Sequence, residues 1–241
     1  MAFPINIFTT FSEGGYALYG KRWLDSNLTN WSNANITIYT DFDLEINHSN
    51  VNIINFNDVF PHHKEWQKNV KEYFNRFPEK GRVIGNKTVK FSYKGFCIYR
   101  ETQLNRKGMT IWTDADTQTL KPVKIDFQKL LENKFLACQV EKAQNNNPHI
   151  ESGILFFNSN NPETKNFGNR LEDFYNSDKL YTLKKPYDGY IIAKILKSNK
   201  MNFVDLNQNY NVLNKRSSKE ETFLHPILKE NFVHWIGQIK K

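Results

Sequence analysis

Short apolar runs rich in β-branched residues alternate along this chain with longer amphipathic stretches, and that alternation limits the fold more than any other feature. The run Ile5 to Phe11 reads as a buried first strand, and Ser12, Glu13, Gly14 and Gly15 turn it into an amphipathic stretch from Tyr16 to Trp31. Two further short runs follow, Ile36 to Asp41 and Val51 to Phe56. Residues His62 to Arg76 and Thr88 to Leu104 read as helices, the second with Val89, Phe96 and Cys97, joined by Ile98 and Tyr99, on a face suited to a sheet. The strand Met109 to Trp112 comes next. Phe135 to Val140, a polar loop through Asn145 to Pro148 and the strand Gly153 to Phe157 repeat the pattern. Helices over Pro162 to Tyr175 and Tyr187 to Leu196 precede an irregular polar stretch and the closing segment from His225 to Lys241. Alternating strands and helices favour crossover connections and hence parallel pairing. The expectation is an α/β fold, one domain over residues 1–241, with a mostly parallel central sheet and helices on both faces. Ligands in such sheets gather beyond the carboxyl ends of the strands.

Composition narrows the partners. The aromatic fraction of 15%, within a hydrophobic fraction of 39%, places the chain among globular proteins and excludes a disordered one. The net charge of +8 calls for an anionic partner, but Lys and Arg are scattered, so charge alone leaves nucleic acid, a membrane surface and a phosphorylated small molecule open; with no recognisable nucleic-acid motif, nucleic acid is not expected. No stretch approaches the roughly 18 apolar residues of a membrane span, and the first residues lack the basic start and small-residue cleavage site of a signal peptide. A cytoplasmic location is expected. On that expectation the Asn-x-Ser/Thr triplets at Asn27, Asn30 and Asn35 are without consequence. Cys97 and Cys138 each lie within an apolar run and read as buried thiols.

Two Asp-x-Asp pairs stand out, Asp41 with Asp43 and Asp114 with Asp116. At an ordinary aspartate frequency of roughly 5% such a pair arises about once by chance in a chain this long, so spacing alone does not choose. In extended backbone, residues two apart leave the same face, and two carboxylates side by side suit Mg²⁺ or Mn²⁺, whose other positions go to water and substrate phosphate. Asp114 and Asp116 follow a strand flanked in sequence by helix and strand, hence one central in the sheet. Asp41 and Asp43 lead into a polar connection and read as a solvated turn. An Asx turn capping the strand remains the alternative for Asp114.

Taken together and in this order, the segments WTDADTQTL, ESGILFFN and HWIGQIKK resemble the landmarks of GT-A fold (Rossmann-like) glycosyltransferases, which move a sugar from a nucleotide diphosphate sugar to an acceptor. The stretches ITIYTD, TTFSEGGYALYGKRW and FSYKGFCIYRE are also similar to small bacterial and phage-encoded glycosyltransferases. The resemblance implies that Asp116 binds Mn²⁺ or Mg²⁺, that Asp114 contacts the metal or the donor ribose, and that Ala115 between them borders the donor. His234, Gly237 and Lys240 match the HxxGxxK pattern of glycosyltransferase family 8, where the His completes the metal site and the Gly and Lys hold the diphosphate. Two departures are visible: Glu151-Ser152-Gly153 stands where that family reads Asn-Ser-Gly, and the Pro-Trp after its final Lys is missing.

The same resemblance places base and ribose contacts at Thr9, Thr10, Phe11 and Ser12, with Tyr16 as a ring to stack on uracil. Lys94 and Arg100 either approach the donor or are solvated helix cations. Asp188, at the first turn of a helix, is the candidate carboxylate beside the anomeric carbon: a general base in an inverting enzyme, a stabilising or nucleophilic group in a retaining one. Glu151 competes for that role, and Gly153 lets backbone approach the sugar. His62 and His63 read as a helix start rather than ligands, and Lys184 and Lys185 as solvent-facing. The expected function is metal-dependent transfer of a hexose from a UDP-sugar to a sugar or glycan acceptor, leaning to retention. A noncatalytic sugar-nucleotide or glycan-binding protein, an inverting transferase and a metal-dependent nuclease or phosphotransferase are the alternatives.

Overall fold

A computed structural model describes residues 4–76, 81–141, 149–183, 185–207 and 226–234. Strand β1 (Ile5–Phe11) ends at Ser12, whose hydroxyl caps the short helix α1 (Glu13–Gly15); a π-turn over Tyr16–Gly20 then leads into α2 (Lys21–Asn30). β2 (Asn35–Thr40), β3 (Val51–Asn55), α3 (Phe56–Val59), α4 (His63–Asn75) and α5 (Gly81–Gln103) lead to β4 (Met109–Thr113). Next come β5 (Thr117–Thr119), α6 (Phe127–Leu131), β6 (Leu136–Glu141), β7 (His149–Asn158) and α7 (Pro162–Tyr175). A 3-10 turn (Asp178–Thr182), α8 (Asp188–Ser198), β8 (Val204–Asp205), α9 (Pro226–Asn231) and β9 (Phe232–His234) follow.

The main sheet has seven strands in the order β3-β2-β1-β4-β7-β6-β8. β1 pairs in parallel with β2 and β4, β2 with β3, and β6 with β8, while β7 runs antiparallel between β4 and β6. The sheet is therefore mostly parallel, with β4 in its middle. From β1 the chain steps outward to β2 and β3, then returns to place β4 on the other side of β1. That reversal opens a crevice at the carboxyl ends of β1 and β4, the usual ligand position in such sheets.

Strand pleating sends neighbouring residues to opposite faces, so each central strand feeds two cores. Phe8, Trp112, Leu155 and Phe157 face the helices α4, α5, α7 and α8. Ile7, Ile111, Ile154 and Phe156 face α2, α6 and α9. Helices thus cover both faces, and apolar runs on β1, β4 and β7 follow from burial on both sides. Cys97 and Cys138 are buried free thiols.

Two elements are longer than periodicity indicates. α5 begins at Gly81, not Thr88, because Gly85 lets α4 approach: a Cβ there would lie 3.1 Å from Phe74 Cβ. Glycines lower helix propensity in sequence and disguise the first turns. β7 begins at His149, since Gln139, Val140 and Glu141 of β6 pair with Glu151, Ile150 and His149. Glu151 and Ser152 therefore lie inside a strand, not at the end of a loop. Between them, β5 and β9 form a separate two-stranded antiparallel sheet, with Thr117 opposite His234.

Candidate functional site

Six segments converge at the crevice between β1 and β4. β4 ends at Thr113, and Asp114 to Thr117 form a tight turn closed by Thr117 N–H donating to Asp114 C=O at 2.9 Å. Strand alternation is therefore not what brings the carboxylates together. The turn is fastened to β7, because Asp114 N–H and the Thr117 hydroxyl both donate to Gly153 C=O, at 2.8 and 3.2 Å. β5 then leaves the turn and pairs with β9, which delivers His234 from the far end of the described chain.

His234 is buried, and its two nitrogens face different acids. Nε2 lies 3.0 Å from Asp116 Oδ1 and 3.5 Å from Asp114 Oδ2, while Nδ1 lies 3.4 Å from Glu151 Oε1. Burial pulls the imidazole pKa down, but the hydrogen bonds to Asp116 and Glu151 and the charge of Asp114 outweigh it and raise it to about 10. Gly153 leaves room for this ring. A Cβ there would sit 2.5 Å from His234 Nδ1, and Gly153 N–H donates to Glu151 Oε1 at 3.0 Å.

A second buried cation balances the other side. Lys94 of α5 reaches Asp114 Oδ1 at 2.6 Å, pairs with Asp188 at the start of α8, and donates to Ser152 C=O and Oγ, each at 3.1 Å. Burial lowers the ammonium pKa, yet Asp114 and Asp188 prevail and hold it raised. Ser152 Oγ donates to Asp188 Oδ2 at 2.8 Å. Burial favours the neutral form of Asp188, but Lys94 and Ser152 outweigh it and keep the carboxylate depressed in pKa. Burial likewise opposes ionisation of Asp116, and His234 more than offsets it, whereas for Asp114 burial dominates and the pKa is raised. Trp112 Nε1 donates to Asp114 Oδ1 at 2.8 Å, orienting it from within β4.

The donor set fits a divalent cation. One oxygen each from Asp114 and Asp116 and one His234 nitrogen lie within 4.8 Å of one another. Among the described residues, four carboxylates, Asp114, Asp116, Glu151 and Asp188, meet two cations, Lys94 and His234. Two carboxylates with an imidazole form a donor set that suits Mn²⁺. The His234 proton and a metal compete for Nε2, because only a neutral imidazole ligates.

A cavity of about 500 Å³ adjoins this cluster, lined by Thr10, Phe11, Ser12, Gly15 and Tyr19 on one side, Lys90, Phe91, Tyr93 and Lys94 on another, and Trp112, Asp114, Ala115 and Asp116 at its floor. Larger hollows lie elsewhere, one of about 820 Å³ between α6, β8 and α9, and contain none of these groups. We assign the site to the smaller cavity because the titratable cluster opens into it.

No protein-family model and no curated protein matches the chain. Among solved structures it is similar to the bifunctional glycosyltransferase WbbM, with a TM-score of 0.49 and 13% identity over 81% of this chain and 38% of that one. It is also similar to the glycosyltransferase GlyE of Streptococcus pneumoniae TIGR4, with a TM-score of 0.48 and 10% identity over 87% of this chain and 47% of that one. A third is the PaToxG glycosyltransferase, at a TM-score of 0.43 and 14% identity, covering 82% and 70%. The chain spans less than half the length of the first two.

The structure brings together Thr10, Phe11, Ser12, Lys94, Asp114, Ala115, Asp116, Glu151, Gly153, Asp188 and His234. Gly237, Lys240 and Lys184 lie outside the described residues. Two expected contacts differ, at Thr9 and Tyr16, and Arg100 is neither at the cavity nor fully solvated. Thr9 is fully buried on the pleat opposite Thr10 and does not line the cavity. Tyr16 packs edge-on against Phe11 and tilted on Phe42, because the π-turn rotates it away, and Tyr19 lines the cavity in its place. Arg100 lies over the Tyr39 ring, 5.9 Å from its centroid. Lys94 is buried instead of solvated; its place in sequence between Phe91, Cys97 and Ile98, three and four residues away on one helix face, carried that signal. His63 is a core residue, ringed by Phe56, Trp66, Tyr93 and Phe96. Asp41 is exposed at the cavity edge, where it accepts from Tyr93 OH at 3.3 Å.

Among the described residues, no helix is long and apolar enough to cross a membrane.

Proposed function

We propose that this protein transfers a glycosyl group from a nucleotide diphosphate sugar, a UDP-hexose, with Mn²⁺ or Mg²⁺ held by Asp114, Asp116 and His234. The observation that carries this reading is the convergence of those three side chains, within 4.8 Å, at the strand-order reversal beside a cavity of nucleotide size. When bound there, the ion supplies Lewis-acid stabilisation of the charge that develops on the departing diphosphate. Thr10, Phe11, Ser12 and Tyr19 form the wall that receives the nucleoside, and Lys90 places a cation on another side of the cavity.

Asp188 is the carboxylate best prepared to face the anomeric carbon. Its ammonium partner Lys94 and its hydroxyl partner Ser152 favour the ionised form. An efficient general base has a pKa near the working pH, whereas a carboxylate held below its usual range serves better as a stabiliser or nucleophile. Asp188 therefore supports a retaining course. Glu151 turns toward His234 and Gly153 N–H, which suits orienting the ligand ring rather than meeting the sugar.

Assaying UDP release across a panel of sugar nucleotides, with and without Mn²⁺, tests the reading. Turnover that needs the ion, with retained anomeric configuration in the product, is expected. Turnover indifferent to metal, or none with any donor, would overturn it, as would full activity in Asp116→Ala.

A further inference from the structure

We propose that a shelf of aromatic rings edged by lysines, beside the mouth of the cavity, binds the acceptor, and that this acceptor is an anionic saccharide. The inference rests on the glycosyl-transfer reading and gives it a substrate class. Phe91 of α5 lines the cavity, and its ring lies 5.5 Å from that of Tyr187. Tyr187 continues to Tyr190 at 6.5 Å, and Tyr190 stacks on His149 of β7 at 5.0 Å and 18°. All four rings are partly exposed, and none belongs to either core. Large rings left at the surface of a well-packed domain are costly to hydrate, and a run of them from three separate elements marks a binding face. A pyranose offers such a face an apolar side of C–H bonds, with hydroxyls at its rim.

Charge selects among saccharides. Lys87 Nζ lies over the Tyr187 ring at 5.5 Å and Lys185 Nζ over the Tyr190 ring at 5.7 Å. Lys90, one turn after Lys87, is exposed and borders the cavity. Among the described residues none of the three takes part in an ion pair, whereas the acids beside the shelf already have partners: Glu141 lies 2.9 Å from His149 Nε2, and Asp188 shares Lys94 with Asp114. Neutral sugars need rings and hydrogen bonds but no ammoniums, so three uncompensated cations fit a carboxylate or a phosphate on the ligand. The shelf begins at Phe91, which lines the cavity, and passes Tyr187, the residue before Asp188, so a saccharide lying on it directs one end toward the cavity that receives the donor.

Isothermal titration of the full chain with trigalacturonate, with glucose 6-phosphate and with maltotriose tests the proposal. We expect at least one of the anions to bind tenfold or more tighter than maltotriose, weakening as salt rises, and Lys87→Glu/Lys185→Glu to weaken it at least tenfold at an unchanged unfolding midpoint. Whichever anion binds identifies its source as carboxylate or phosphate. Equal affinity for maltotriose, no binding of either anion at millimolar concentration, or an unaltered affinity in the double variant would overturn it. Donor hydrolysis without acceptor, measured on the unsubstituted protein, separates the two readings: if it fails while the anions bind, the transfer reading falls and the shelf stands.

Discussion

A methyl group on Gly153 would meet His234 Nδ1 at 2.5 Å and Cε1 at 2.7 Å, and the strand around it is paired on both edges. The ring must move because β7 cannot. Gly153→Ala is therefore expected to cost about 1–3 kcal/mol of stability, as overpacked sites do, and to weaken Mn²⁺ binding by a larger factor than it weakens the fold. Calorimetric titration with Mn²⁺ beside urea unfolding checks this; intact affinity would show that His234 is not a ligand. Lys94 gives a complementary case. Lys94→Ala strands Asp114 and Asp188 with no ammonium in a buried setting, and loss of one partner from such a cluster costs about 3–5 kcal/mol. Urea unfolding at neutral pH measures it, and a cost below about 1 kcal/mol would mean that water reaches both carboxylates.

At the level of elements, helix α4 carries a pH sensitivity that is independent of the site. His63 Nε2 lies 2.8 Å from Ser92 Oγ, and Ser92 Oγ itself donates to Val89 C=O, so His63 must donate through Nε2. Gln67 Nε2 then donates to His63 Nδ1 at 3.1 Å, which requires the neutral ring. Burial accordingly lowers the His63 pKa to about 4. The unfolded chain binds this proton near pH 6.5 and the folded chain only near pH 4, so stability is full above 6.5 and falls as pH drops across that window. The slope for one such group is about 1.4 kcal/mol per pH unit at most. His63→Phe keeps a ring among Phe56, Trp66, Tyr93 and Phe96 and should flatten the slope between pH 6.5 and 4; an unchanged slope would place the titration elsewhere. Elements such as α4 were legible because their apolar spacing repeats over several turns. The β5–β9 pair was not. Each strand is three residues long, too short for periodicity, and its register comes from Phe232 packing among Trp31 and Phe156 and from Thr119 accepting from Trp31 Nε1 at 3.0 Å. His234 could thus be singled out only through a family pattern, and Ser152 not at all, since its role exists only once β7 meets α5 and α8.

For the whole molecule, the site is a fastening between parts remote in sequence. Asp114 and Asp116 hang from the central strand of the main sheet, whereas His234 belongs to the small sheet held by α9 and by Thr119 against α2. A cation bound by all three joins the two sheets. Separation of the small sheet then requires release of the ion, so binding protects the folded chain as a unit. At free Mn²⁺ of a hundred times Kd, mass action adds about 2.7 kcal/mol, and for a chain of this size each kcal/mol raises Tm by roughly 2–4 °C. Thermal unfolding should therefore rise by roughly 5–10 °C with saturating Mn²⁺ and return when EDTA is added. Asp116→Asn keeps the turn but removes an anionic ligand, so it should lose most of that rise. An equal rise in the variant would locate the ion away from Asp116 and detach the two sheets from any common ligand.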